Sequence, residues 1–162
     1  MISPACSVVV AGIGSEYRRD DGAGVAVARA LAASSSAICD VGPLGEPLDL
    51  LGRWDRATLA IVVDAVRSAD APGTVRVIEL DAATPDERAP VRRVARGTSS
   101  THGIGLAGVL RLARAVGSAP GRVIVVGVTG ASFGAGVGLS PAVERAVPAA
   151  AALVLELVEG AG

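Results

Sequence analysis

The sequence predicts an α/β domain in which a mostly parallel sheet is covered by helices on both faces. Two observations carry this expectation. Three short, valine-rich apolar runs, Ser7–Ala11, Thr58–Val63 and Val123–Val128, have the composition of strands buried on both sides, and segments with helical apolar spacing lie between them. The composition agrees: 51% of residues are hydrophobic but only 2% aromatic, so the core must be Ala, Val, Leu and Ile, which suits closely packed α/β layers. Alternation of strand and helix implies right-handed crossovers. At 162 residues the chain has the length of one domain, taken as spanning 1–162.

Each element follows in order. The strand Ser7–Ala11 ends at Gly12 and Gly14. Asp20-Asp21-Gly22 opens a helix to about Ala33, with Val25, Val27, Ala28 and Leu31 apolar and acids where the helix dipole favours them. Ala37–Val41 reads as a weak second strand, and Pro47 to about Trp54 as a short helix. Thr58–Val63 is a buried strand that ends at Asp64. After the turn pair Pro72-Gly73, Thr74–Leu80 sets Val75, Val77 and Leu80 against Arg76 and Glu79, the pattern of a half-exposed edge strand. Asp81 to Ser100 is a polar excursion carrying Arg88, Arg92, Arg93 and Arg96, which reads as a solvated face. Gly103–Val116 is helical. Val123–Val128, a glycine-rich loop at Gly130–Gly138, and a last helix started by Ser140-Pro141 complete the chain.

Composition excludes several chemistries. The charge, 15 basic against 16 acidic residues, is −1 and speaks against nucleic-acid or membrane electrostatics. Every basic residue is Arg; the chain has no Lys, Asn or Gln, and its one histidine is His102. Lysine-dependent phosphate loops and Schiff bases are therefore absent, as are amide oxyanion holes. The longest uncharged run, Val123 to Val143, is interrupted by Gly, Ser, Thr and Pro141 and cannot form one spanning helix. No signal peptide is expected. Cys6 and Cys39 read as buried thiols of a cytoplasmic protein.

Three segments converge. If Thr74–Leu80 is an antiparallel edge strand, the excursion after it returns the chain to the sheet's carboxyl edge. His102 then heads a helix where Asp21 and Asp64 also lie, at the crevice in which open α/β sheets place their sites. Each residue has a plainer explanation. Asp20 and Asp21 can cap a helix, Asp64 can cap a turn through Ala65, and a histidine at a helix start can be structural. A helix needs one cap, however, and a carboxylate ending a buried strand requires a crevice, a partner or a cation. Two carboxylates and an imidazole could hold a divalent ion with open positions, of zinc, nickel or iron type. Glycines 12 and 14 do not make a nucleotide loop, because Tyr17 stands where a third Gly is needed and Glu16, Asp20 and Asp21 repel phosphate. Ser99, Ser100 and Thr101 lack the surroundings of a serine nucleophile.

Four segments in order resemble the hydrogenase maturation proteases, the endopeptidases that process the large subunit of nickel–iron hydrogenases. These are VVVAGIGSEYRRDDGAGVAVARAL, LAIVVDAVRSADAPGTVRVIEL, STHGIGLAGVLRLAR, and VIVVGV with GLSPAVERAVP. The resemblance covers nearly the whole chain. It implies a three-layer α/β/α sandwich, with a five-stranded mostly parallel sheet of order 2-1-3-5-4 and one antiparallel edge strand. It also implies that Asp21, Asp64 and His102 are the metal-binding and catalytic residues. The implied substrate is the C-terminal tail of a hydrogenase large-subunit precursor, with nickel supplied by that precursor and zinc or cadmium as substitutes in vitro. No nucleotide, nucleic acid or membrane is implied as a partner. A nickel-dependent binding module that does not cut is the alternative. Ser15 and Thr129-Gly130 depart from the family's usual residues.

Overall fold

A computed structural model describes residues 7–34, 38, 40–80 and 105–161. Cys6, Cys39, the excursion with its arginines, and His102 lie outside the described residues. Five strands, β1 (Val8–Ile13), β2 (Asp40–Leu44), β3 (Leu59–Val66), β4 (Val75–Leu80) and β5 (Arg122–Thr129), form one sheet of order β2-β1-β3-β5-β4. Every pair is parallel except β4 with β5. This is the predicted sheet, with its antiparallel strand at the predicted edge.

Strand residues alternate between two cores. Val8, Val10, Ile61, Val63, Ile124 and Val126 face the helices α1 (Ala23–Leu31) and α3 (Pro141–Glu159). Ala11, Ile13, Ala60, Val62, Val123 and Val125 face α2 (Leu106–Ala115) and the 3-10 turns of Pro47–Gly52, beneath the fully buried Trp54. Because every central strand is covered on both sides, its residues need no polar alternation, and β1 and β3 are buried throughout. Two layers of helix around one sheet make the three-layer sandwich. Among the described residues, no helix is long and apolar enough to cross a membrane.

Four boundaries differ from the sequence reading, each for a packing reason. β1 continues through Gly12 and Ile13 because β3 keeps pairing as far as Gly12 and β2 as far as Ile13. β2 begins at Asp40 and carries Pro43, which an edge strand accepts because its outer N–H has no ladder partner to lose. β3 runs two residues beyond Asp64, since Ala65 and Val66 are apolar and pair with Val128 and Thr129. Pro47–Gly52 is 3-10 rather than α-helical, with Glu46 and Asp49 closing a capping box at its start.

β1 and β3 lie side by side, yet the chain leaves them in opposite directions, toward β2 and toward β4–β5. Their carboxyl ends therefore form the switch point of the sheet. Glycines let α1 approach this point. A Cβ on Gly24 would lie 2.4 Å from the carbonyl oxygen of Val63 and 2.6 Å from that of Ile13, and one on Gly12 would lie 1.9 Å from the carbonyl oxygen of Gly24. Gly24→Ala should thus destabilise the protein by about 3 kcal/mol, the upper range for overpacking a core. Chemical denaturation that shows a loss below about 1 kcal/mol would mean α1 can move away freely.

Candidate active site

The candidate site sits at the switch point. After β1, Gly14 adopts φ +139°, and a Cβ there would lie 1.9 Å from the carbonyl oxygen of Asp21. The glycine thus makes room for the Asp21 backbone against the strand end. The backbone N–H of Ser15 then donates to Asp21 Oδ2 at 2.9 Å, which fixes the carboxylate. A main-chain donor makes this contact, so the unusual side chain at position 15 does not alter it. Asp21 is only 7% exposed.

Asp64 lies within β3, opposite Gly127 of β5, and is 4% exposed. It shares the strand parity of Val62 and Val66, which face the α2 layer. Its Oδ1 is buried and has no hydrogen-bond partner among the described residues. Burial pushes its carboxyl well above the usual carboxylate range, and the nearby charge of Asp21 pushes it further, against a weaker opposing contribution from the Ala65 N–H. The suggested cap through Ala65 is therefore a minor part of its surroundings. Two carboxylates have been brought together where neither neutralises the other.

The sequence reading assigned Asp20 a capping role, and the structure corrects this. Neither the 3-10 turn Arg19–Gly22 nor α1 has a side-chain cap. Asp20 is 0% exposed and turns away to the glycine-rich loop. Its carboxylate accepts the N–H of Ala131 at 2.7 Å, of Ser132 at 3.1 Å and of Ser140 at 2.7 Å, together with the Ser140 hydroxyl at 2.8 Å. Burial opposes ionisation, but the donors of Ser140, Ala131 and Ser132 outweigh it and hold the carboxyl below its ordinary value. Ser140 likewise does not cap α3, because its hydroxyl is committed to Asp20. Two adjacent aspartates have thus separated into a latch and a candidate ligand. A run of Gly and Ser after a strong strand was the only sequence cue to the latch.

Backbone pairing extends the latch. Asp20 N–H donates to Ser132, Arg19 N–H to Gly136, and Gly136 N–H to Tyr17. Thr129-Gly130, the second departure from the resembled pattern, also has a local reason. A Cβ on Gly130 would lie 2.6 Å from the Phe133 ring and 3.0 Å from Asp20 Cβ, so glycine lets Phe133 fold under the loop. The guanidinium of Arg67 covers that ring at 4.3 Å. Glu16 is exposed to solvent and pairs with Arg29 at 2.6 Å, an arrangement that holds its carboxyl below the usual value.

Comparison with known proteins gives the family of this fold. The family model described as hydrogenase maturation protease matches residues 26–157. The hydrogenase 2 maturation protease of Escherichia coli K12 is 30% identical over 161 residues, covering 96% of this chain and 92% of that protein. The chain belongs to the hydrogenase maturation protease family. Among solved structures of this family, the hydrogenase maturating endopeptidase of Escherichia coli aligns with a TM-score of 0.78 at 27% identity, covering 96% of this chain and 94% of that one. A hydrogenase 2 maturation peptidase from a Thaumarchaeota archaeon aligns with a TM-score of 0.67 at 30% identity, covering 94% and 97%. This maturation-protease chain accordingly has the fold of known endopeptidases across almost its whole length. Asp21 and Asp64 stand together at its switch point, and His102 lies outside the described residues.

Proposed function

We propose that this protein is the endopeptidase that removes the C-terminal extension of a nickel–iron hydrogenase large-subunit precursor once nickel is in place, and that it works in the cytoplasm. Asp21, Asp64 and His102 are its metal-contacting and catalytic residues. Nickel arrives with the precursor, and zinc or cadmium replaces it in vitro. The observation that carries this reading is the buried Oδ1 of Asp64, without a partner among the described residues, beside Asp21. A buried carboxylate oxygen with no donor is costly unless a cation meets it, and a carboxylate pair with an imidazole is a donor set for such a cation. The chain supports a place for His102 in that set: α2 leads into β5, so its first turn lies toward the edge where β5 ends, and Gly105 caps it three residues after His102.

Bound there, a divalent ion would polarise the scissile carbonyl or acidify a water. The protein's own groups do the remaining work. Ser15 N–H holds Asp21 in place, the latch of Asp20 keeps the loop beside it closed, and one of the two ligand carboxylates takes the proton of the attacking water. The tail of the precursor binds along the carboxyl edge of the sheet.

Incubation with nickel-loaded precursor, followed by intact-mass spectrometry, tests the proposal. The expected result is loss of a C-terminal peptide, and none from nickel-free precursor. If the wild type leaves the precursor whole where the Escherichia coli hydrogenase 2 maturation protease cuts its own substrate, the proteolytic reading fails. Precursor binding that disappears in His102→Ala, with no product from the wild type, would mark a recognition module instead.

A further inference from the structure

Beside the candidate centre, the first loop and the glycine-rich loop frame a groove lined by Glu16, Arg19, Gly22, Val25, Val137 and Leu139. Gly22, in its wall, follows Asp21 directly in the chain. In its wall Val137 is 70% exposed, a large apolar side chain on a surface that water would normally claim. Its charge is unbalanced. Glu16 is neutralised by Arg29 at 2.6 Å, whereas Arg19 forms no ion pair among the described residues.

Arg19 is also held in an unusual way. Its φ of +52° lies in the left-handed region, which side chains other than glycine rarely adopt. The N–H of Arg19 donates to Gly136 O at 2.9 Å and keeps it there. Across that bond the guanidinium lies over Gly136: a Cβ on Gly136 would be 2.5 Å from Arg19 Nε and 2.8 Å from Cζ. A strained backbone and a missing Cβ together aim one unpaired guanidinium into an apolar groove. Exposed arginines that serve only solubility need neither.

We propose that this groove is a substrate subsite that takes an acidic side chain of the polypeptide, flanked by an apolar residue, and that Arg19 reads its carboxylate. The guanidinium offers a planar fork to a carboxylate, while Val25, Val137 and Leu139 supply apolar surface for the neighbouring side chain. This assignment rests on the endopeptidase reading above for the identity of its substrate, and on the groove alone for its chemistry.

Two peptides, acetyl-Ala-Val-Glu-Leu-Ala-amide and its Gln counterpart, test it in NMR titrations that follow the amides of Gly22, Val25, Val137 and Gly138. The wild type should bind the Glu peptide about tenfold more tightly, the effect of one charge-assisted contact. Arg19→Gln should bring the preference below about twofold, and Gly136→Ala should reduce it by displacing the guanidinium, while Arg19→Lys keeps part of it. Equal affinities in the wild type, a preference that survives Arg19→Gln, or shifts confined to other amides would overturn the assignment. Precursor cleavage is scored separately. A wild type that binds the Glu peptide but cuts no precursor removes the endopeptidase reading and keeps the groove; one that cuts the precursor but does not distinguish the peptides removes the groove.

Discussion

Asp20→Ala should destabilise the folded protein by about 4 kcal/mol, in the range reached when a buried charged network is broken. The substitution removes the acceptor for three backbone N–H groups and a hydroxyl at once, at a residue that is 0% exposed. Those donors lie at Ala131, Ser132 and Ser140, so the loss should appear first between β5 and α3. Hydrogen exchange should accelerate there before the rest of the sheet opens. Asp20→Asn should be intermediate, because its carbonyl oxygen still accepts while its amide faces donors. The pH dependence has a fixed sign. A carboxyl held below its ordinary value stabilises the fold above that value and loses its contribution as pH falls through the lowered one. The wild type should therefore lose stability in acid more steeply than Asp20→Asn. Equal stability of Asp20→Ala and wild type in urea would show that the loop closes without the latch.

Asp64→Asn should have the opposite effect on stability and the larger effect on activity. With the proposed role, processing of the nickel-loaded precursor should fall about a thousandfold, the upper range for loss of one charged contact at the reacting centre. Stability of the metal-free protein should instead rise by about 1 kcal/mol at neutral pH, a typical gain when a strained functional group is replaced. The reason is the unpartnered buried oxygen and the repulsion of Asp21. A carboxyl whose folded pKa is raised stabilises the fold below its unfolded value, and that contribution disappears as pH rises through the folded value. The advantage of Asn should thus be absent in acid, grow above about pH 4 and level off beyond the raised pKa. Thermal melts across this range measure it. A variant that is less stable than wild type at every pH would show that Asp64 has a structural partner.

The two aspartates illustrate how much was legible in the chain. Asp64 stood out because a carboxylate that follows a continuous apolar run has few benign explanations, and the structure buries it within β3. Asp20 did not. The adjacent acids have the same local sequence context, and capping is a reasonable use for either. Their separation depends on Ala131, Ser132 and Ser140, more than a hundred residues away in the chain. No local pattern in the first loop predicts those donors. Strand boundaries failed for a similar reason: Ala65-Val66 and Gly12-Ile13 pair because their neighbours continue, and a run read by itself does not contain its neighbours.

By itself, the sequence determined the class of fold and the sheet edge to which Asp21 and Asp64 belong. Apolar periodicity and glycine placement are local properties, and the switch point of an alternating α/β chain follows from element order. The scarcity of alternatives, one histidine and no Lys, Asn or Gln, narrowed the chemistry before any geometry was known. Only the tertiary structure decided that Asp20 closes the glycine-rich loop while Asp21 lies beside Asp64. It also decided that Gly14 and Gly136 make room for Asp21 and Arg19. These assignments rest on distances of a few ångströms between segments far apart in the chain, where one missing Cβ or one backbone N–H decides what a side chain can do.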